Sequence, residues 1–225
     1  MQNELRARVA EVRQRIAAAR ARGGHEQPVT LVAVTKNFGP EAVMAAWEAG
    51  VADFGENKVQ EARGKQAAVT VPVRWHLIGH LQRNKVKALE HFDLFHALDS
   101  GRLADAVSAW AVARGTQARA LLQVNVSGEE NKGGFALPAV PAEAERLRGL
   151  PGLVVAGVMT MAPYEAPERT LRACFAGART AREALRAAGH PAIELSMGMS
   201  ADYEVAVEEG ATLVRLGTVL FGART

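Results

Sequence analysis

After Gly23-Gly24 the sequence alternates short β-rich runs with helical stretches, and this alternation restricts the accessible folds more than any other feature. The β-rich runs fall at 30–36, 53–57, 74–79, 94–100, 118–126, 152–161, 192–198 and 213–222. Helical stretches lie between them near 40–49, 57–68, 83–90, 101–114, 138–148, 167–188 and 201–209. Gly50, Gly115, Gly189 and Gly210 stand where left-handed C-terminal caps belong. Strands alternating with helices are the mark of parallel βα units. Eight such units predict closure into a (β/α)₈ TIM barrel rather than an open doubly wound sheet. No Gly-x-Gly-x-x-Gly follows the first run, which argues against a dinucleotide site. The 225 residues have room for one such barrel, so 1–225 reads as a single domain.

Ahead of the barrel, residues at about 3–22 predict an extra helix. Leu5, Val9, Val12, Ile16 and Ala19 recur at steps of four and three, one apolar stripe that must dock. Arg6, Arg13 and Arg20 fall on one flank of the stripe and Arg8, Arg15 and Arg22 on the other. Two arginine rows invite an RNA-binding reading, but solvated flanks beside a buried stripe explain them as well. The chain holds 27 basic against 24 acidic residues, an excess too small to argue for nucleic acid. No apolar run is long enough to span a membrane, and the N-terminus lacks the continuous apolar segment of a signal peptide, so the expected location is the cytoplasm. The lone Cys174 has no disulfide partner and reads as an ordinary helix residue.

A barrel of this kind places its site at the C-terminal ends of the strands. The first run, Leu31 to Lys36, is apolar and stops on a lysine. A lysine against that wall is expected to be partly desolvated, which disfavours the ammonium and favours an amine nucleophile of the Schiff-base type. The competing reading is a strand-end lysine that merely reaches solvent. Against it, only 6 of the 27 basic residues are lysine, and arginine cannot form an imine. At the far end of the chain Arg215 stands inside an apolar run and needs an acceptor. Gly217-Thr218 offers close backbone approach and a hydroxyl, and Ser200 is expected to cap the helix near 201–209. Together they form a phosphate site of the kind barrels build near their last two strands. Asn57, His76, His80, Asn125, Met159 and Met161 are further strand-end groups. The two histidines lack a third ligand, so no metal site is expected. The polar loop 127–134 reads either as a lid or as plain surface.

Taken in order, the blocks VAVTK (32–36), FGENKVQE (54–61), WHLIGHLQRNK (75–85), NVSGEENKGGF (125–135), GVMTMAP (157–163) and LSMGMSADYEVAVEEGATLVRLGT (195–218) resemble the pyridoxal phosphate homeostasis protein family over nearly the whole chain. The resemblance implies a fold-type III barrel similar to the N-terminal domain of alanine racemase. It implies pyridoxal 5′-phosphate (PLP) held as an internal aldimine on Lys36, with Arg215 facing the pyridine nitrogen. Ser200, Gly217 and Thr218 would hold the phosphate, and Asn57, Met159 and Ser196 would make secondary contacts. It further implies a cytoplasmic monomer that buffers or delivers PLP, with PLP-dependent apoenzymes as possible recipients and little or no catalytic turnover. No catalytic residue is assigned.

Three other functions compete. A PLP-dependent amino-acid racemase needs a second proton-transfer group across the cofactor, which related racemases draw from a tyrosine of an additional C-terminal domain. Here the sequence stops soon after the eighth run and offers only Tyr164 and Tyr203. A cofactor-free Schiff-base aldolase would show no visible absorption band. RNA binding by the arginine-rich helix would be salt-dependent.

Overall fold

The computed structural model describes residues 2–129 and 132–222. Helix α1 (Gln2–Gly23) precedes the strands β1 (Thr30–Val34), β2 (Asp53–Glu56), β3 (Arg74–Leu77), β4 (Leu94–Leu98), β5 (Ala118–Asn125), β6 (Phe135–Ala136), β7 (Leu153–Met159), β8 (Glu194–Ser196) and β9 (Leu213–Leu216). Between them run α2 (Pro40–Glu48), α3 (Val59–Ala68), a 3₁₀ helix at Arg83–His91, α4 (Gly101–Arg114), α5 (Val140–Arg148), α6 (Glu168–Ala187) and α7 (Tyr203–Glu208), and α8 (Thr218–Phe221) follows β9. The sheet runs β4-β3-β2-β1-β9-β8-β7-β5 and closes through β4 against β5, a parallel eight-stranded barrel. The two-residue β6 hangs on the outer end of β5. Only glycine fits at position 157, where a Cβ would fall 2.0 Å from Glu194 O as β7 meets β8.

All eight expected strands are present, and most end earlier than the β-rich runs. Lys36, Gly79, Ser100, Met161 and Gly198 lie past the last paired residues, because the ladders stop where the chain turns outward. The largest departure is the last run. Only Leu213–Leu216 is strand, and Thr218–Phe221 is helix. A short apolar run such as Val219-Leu220-Phe221 carries no period that separates a strand from a buried helical turn. Gly50, Gly115, Gly189 and Gly210 take positive φ of 87°, 61°, 89° and 92°, as their capping positions require. Cys174 is buried in α6.

Helix α1 docks through Leu5, Val9, Val12, Ile16 and Ala19, all buried. Its arginine flanks grip different neighbours. Arg6 donates to Glu48 O and Arg13 to Gly50 O at the end of α2, where helix carbonyls lack partners. Arg8 donates to Leu220 O, Arg15 pairs with Glu204, and Arg22 pairs with Glu204 and Glu208. The flanks therefore clamp the helix onto the barrel. Among the described residues no helix is long and apolar enough to cross a membrane.

Candidate functional site

The residues singled out from the sequence gather on one arc of the barrel mouth. In the sheet β2, β1, β9, β8 and β7 are consecutive neighbours. Asn57 follows β2, Lys36 follows β1, Arg215 and Gly217 sit on and just after β9, Ser196 ends β8, and Met159 ends β7. Residues far apart in sequence meet because parallel strands bring their C-terminal ends to one face. Gly79 lets the β3 loop lie against Asn57, since a Cβ there would sit 2.3 Å from Asn57 O.

Lys36 is half-buried on a stiff platform. Thr35 before it is fully buried, and its hydroxyl donates to Glu56 Oε1. The Lys65 ammonium donates to Thr35 O at 2.6 Å, to Glu56 Oε1 at 2.6 Å and to Glu61 Oε1 at 3.0 Å. Asn37 takes φ 67°, a left-handed conformation that asparagine tolerates, and its N–H donates to Glu61. Burial pushes the Glu56 carboxyl above its ordinary value although Lys65 and Thr35 pull it down. Phe38 packs on Phe221 with ring centroids 5.1 Å apart, which ties the loop after Lys36 to α8.

Arg215 is the buried cation of the site, 5% exposed. It donates to Ser196 Oγ at 2.6 Å and to Thr160 O at 3.0 Å, both neutral acceptors. Burial lowers its pKa to about 10, with the Asp202 charge acting the other way. A guanidinium has five N–H groups, so donors remain for a further acceptor.

At the edge beside Arg215 the sequence reading needs correction on one point. Ser200 is not the N-cap of the following helix. That helix begins at Tyr203 after Asp202, whose carboxylate instead accepts from Met199 N, so the turn closes two residues later than expected. Ser200 Oγ accepts from Val219 N at 3.3 Å and so ties the β8 loop to α8. The first intrahelical donors of α8 are Leu220 and Phe221, both onto Gly217 O. The N–H groups of Gly217 and Thr218 precede them and have no intrahelical acceptor. A Cβ at Gly217 would meet nothing closer than Val34 O at 3.5 Å, and its φ is −116°. Neither crowding by the protein nor backbone strain calls for glycine there, which leaves room for a group from outside the chain.

The remaining strand-end groups separate. His80 is exposed and pairs with Asp99 at 2.6 Å, whereas His76 points into the barrel core. Asn125 organises the loop that follows it, donating to Glu129 O and Lys132 O and accepting from Gly128 N. Residues 130 and 131 of the suspected lid lie outside the described residues. Sequence reading missed Lys65, Glu56, Asp53 and His96. For His96 the visible signal is an imidazole within the apolar run Leu94-Phe95-His96-Ala97-Leu98, whereas Lys65 stands in a polar helix sequence that carries no such signal.

The alanine racemase N-terminal domain family matches residues 8–225. A pyridoxal phosphate homeostasis protein of Pseudomonas aeruginosa is 43% identical over 96% of this chain and 94% of its own. One of Aquifex aeolicus is 40% identical over 96% and 97%. Among solved structures, PipY of Synechococcus elongatus with PLP bound is 38% identical with a TM-score of 0.85, covering 97% of this chain and 100% of its own. An alanine racemase of Clostridium difficile, 15% identical with a TM-score of 0.79, shares the fold over 99% of this chain and 57% of its own.

Proposed function

Since the chain belongs to the pyridoxal phosphate homeostasis proteins and carries the alanine racemase N-terminal domain, we propose that it binds PLP covalently through Lys36 Nζ and serves intracellular PLP homeostasis with little or no turnover. The observation that carries this reading is Arg215, a buried cation with neutral acceptors and spare N–H groups at the centre of the arc. A pyridine nitrogen is an acceptor of the required kind. When bound, PLP supplies an aldehyde that condenses with a primary amine and a ring that withdraws electrons.

The chain's own residues fit that group. Lys36 presents a primary amine on a backbone fixed by Lys65 and Glu61. Ser200 Oγ accepts from Val219, so its proton is free to point at a phosphate oxygen, and the Gly217 and Thr218 N–H groups and the Thr218 hydroxyl complete the anion cup. Met159 and Asn57 border the ring, and Ser196 holds Arg215. Arginine donates to a ring nitrogen without protonating it, which weakens the ring as an electron sink and suits storage better than catalysis. The same reading makes the protein a cytoplasmic monomeric carrier in one domain, with PLP-dependent apoenzymes as recipients.

The deciding experiment is the absorption spectrum of the purified, PLP-loaded protein before and after borohydride reduction, followed by peptide mapping. We expect one adduct, on Lys36, abolished by Lys36→Ala. A sole adduct on Lys58, Lys85 or Lys132 overturns the assignment.

A further inference from the structure

Beyond Arg215 a line of hydrogen bonds crosses the barrel core. Arg215 Nη1 meets Ser196 Oγ at 2.6 Å, Ser196 Oγ meets His96 Nδ1 at 2.8 Å, His96 Nε2 meets His76 Nδ1 at 2.9 Å, and His76 Nε2 meets Asp53 Oδ1 at 3.0 Å. All five side chains are buried. Asp53 opens β2, at the end of the barrel opposite Lys36. There Arg74 grips its carboxylate with two bonds, of 2.7 and 2.6 Å.

We infer that Ser196, His96 and His76 are positioning residues that hold the Arg215 guanidinium in place through the barrel core, with Asp53 as the acceptor that anchors the far end of the line.

The two ends fix the direction of the line. Arginine only donates and a carboxylate only accepts. Between them each group has one proton to give. Ser196 accepts from Arg215 and donates to His96 Nδ1, so His96 carries its proton on Nε2 and donates to His76 Nδ1. His76 in turn carries its proton on Nε2 and donates to Asp53. Every contact is then satisfied with both imidazoles neutral. Protonating either imidazole leaves the Ser196 hydroxyl proton with no acceptor in the line. Burial, together with the neighbouring His76 and Arg215, holds the His96 imidazolium well below the usual histidine range, in keeping with this assignment. Each bond dipole turns its negative end toward Arg215 and its positive end toward Asp53, so the line stabilises both charges, and aligned hydrogen bonds strengthen one another. Arg215 has no carboxylate among its hydrogen-bond partners, so Asp202 acts on it through space alone and the line is the hydrogen-bonded path that joins it to a carboxylate.

The consequence for PLP rests on the function proposed above, whereas the line itself does not, and two measurements separate them. The first is ¹⁵N spectroscopy of the imidazoles in PLP-free protein, with His76 and His96 assigned by single replacement. At neutral pH both rings should carry their proton on Nε2 and accept at Nδ1. An imidazolium or an Nδ1–H tautomer at either residue overturns the inference. The second compares binding of PLP and of its 1-deaza analogue, in which C–H replaces the ring nitrogen, to the wild type, Asp53→Asn and His96→Phe. A misaligned guanidinium should weaken PLP on the order of tenfold and leave the analogue within about twofold. Equal losses for both ligands reduce the line to a structural element and overturn its positioning role. Wild-type protein that binds the two ligands equally well counts against Arg215 at the ring nitrogen, and the ligand-free spectra then decide the line by themselves.

Discussion

Lys65 Nζ lies 2.6 Å from Glu56 Oε1, and the two side chains are 4% and 0% exposed. The same ammonium holds Thr35 O, so this buried ion pair sets the backbone from which Lys36 departs. A pair of this kind stabilises little against well-packed apolar residues, but losing one partner strands the other charge.

Lys65→Met should therefore destabilise the fold by about 3–5 kcal/mol in urea unfolding. Adding Glu56→Leu should restore much of that loss, because no buried charge then remains. A single replacement that costs under about 1 kcal/mol would show that Glu56 neutralises without help.

The barrel was legible because its evidence is repetition. Eight β-rich runs with helices between them leave few closures, and even the caps at Gly115 and Gly189 could be placed. Lys36 and Arg215 were legible as charges inside or ending apolar runs. The groups that support them were not. Lys65 lies in a helix whose sequence looks solvent-facing, and its burial follows from Glu56 on a neighbouring strand. His76 and His96 belong to different strands and meet only once β3 and β4 pair, a contact that no periodicity within either strand encodes. Ser200 reads from the sequence as the cap of the helix near 201–209, which in fact begins at Tyr203, because helix starts are among the least certain features of a sequence.

His96 makes the fold acid-sensitive in a defined window. Its native pKa is lowered by burial and by His76 and Arg215, so below the unfolded value the unfolded chain binds the extra proton. Stability attributable to His96 is thus complete above about pH 6.5 and is lost as pH falls below it, at up to about 1.4 kcal/mol per pH unit. His96→Phe should show a shallower loss of stability between about pH 6.5 and pH 5. Parallel curves for variant and wild type would mean that other groups govern this limb.

In the proposed phosphate site, Ser200→Ala removes a neutral donor to a charged phosphate oxygen and should weaken PLP by roughly 1.5–3 kcal/mol. It also removes the acceptor for Val219 N, so a control is needed. Pyridoxal, which lacks the phosphate, supplies it and should bind the variant and the wild type alike in a spectroscopic titration. Equal losses for the two ligands would assign Ser200 to the tie between the β8 loop and α8.

Racemisation of an amino acid requires a proton to leave one face of the substrate and return on the other, and hence two positioned acid–base groups. Lys36 supplies one. Neither tyrosine of the chain is placed as the second. Tyr164 is 83% exposed, on the turn after Pro163. Tyr203 is 3% exposed at the start of α7, beside Arg15 of α1 and thus on the outer layer of the barrel. The proposed contact of Arg215 with the ring nitrogen adds a second obstacle, since a ring nitrogen that accepts from arginine stabilises a carbanion poorly. L-Alanine incubated with PLP-loaded protein in deuterated water should keep its configuration and its α-proton. Chiral separation and mass analysis of the recovered alanine test both halves of this reasoning at once. Turnover of about 1 s⁻¹ or faster lies in the range of working enzymes and would replace the carrier with a racemase. Deuterium incorporation with full retention of configuration would show that Lys36 moves a proton on one face, and that the missing group is the one opposite.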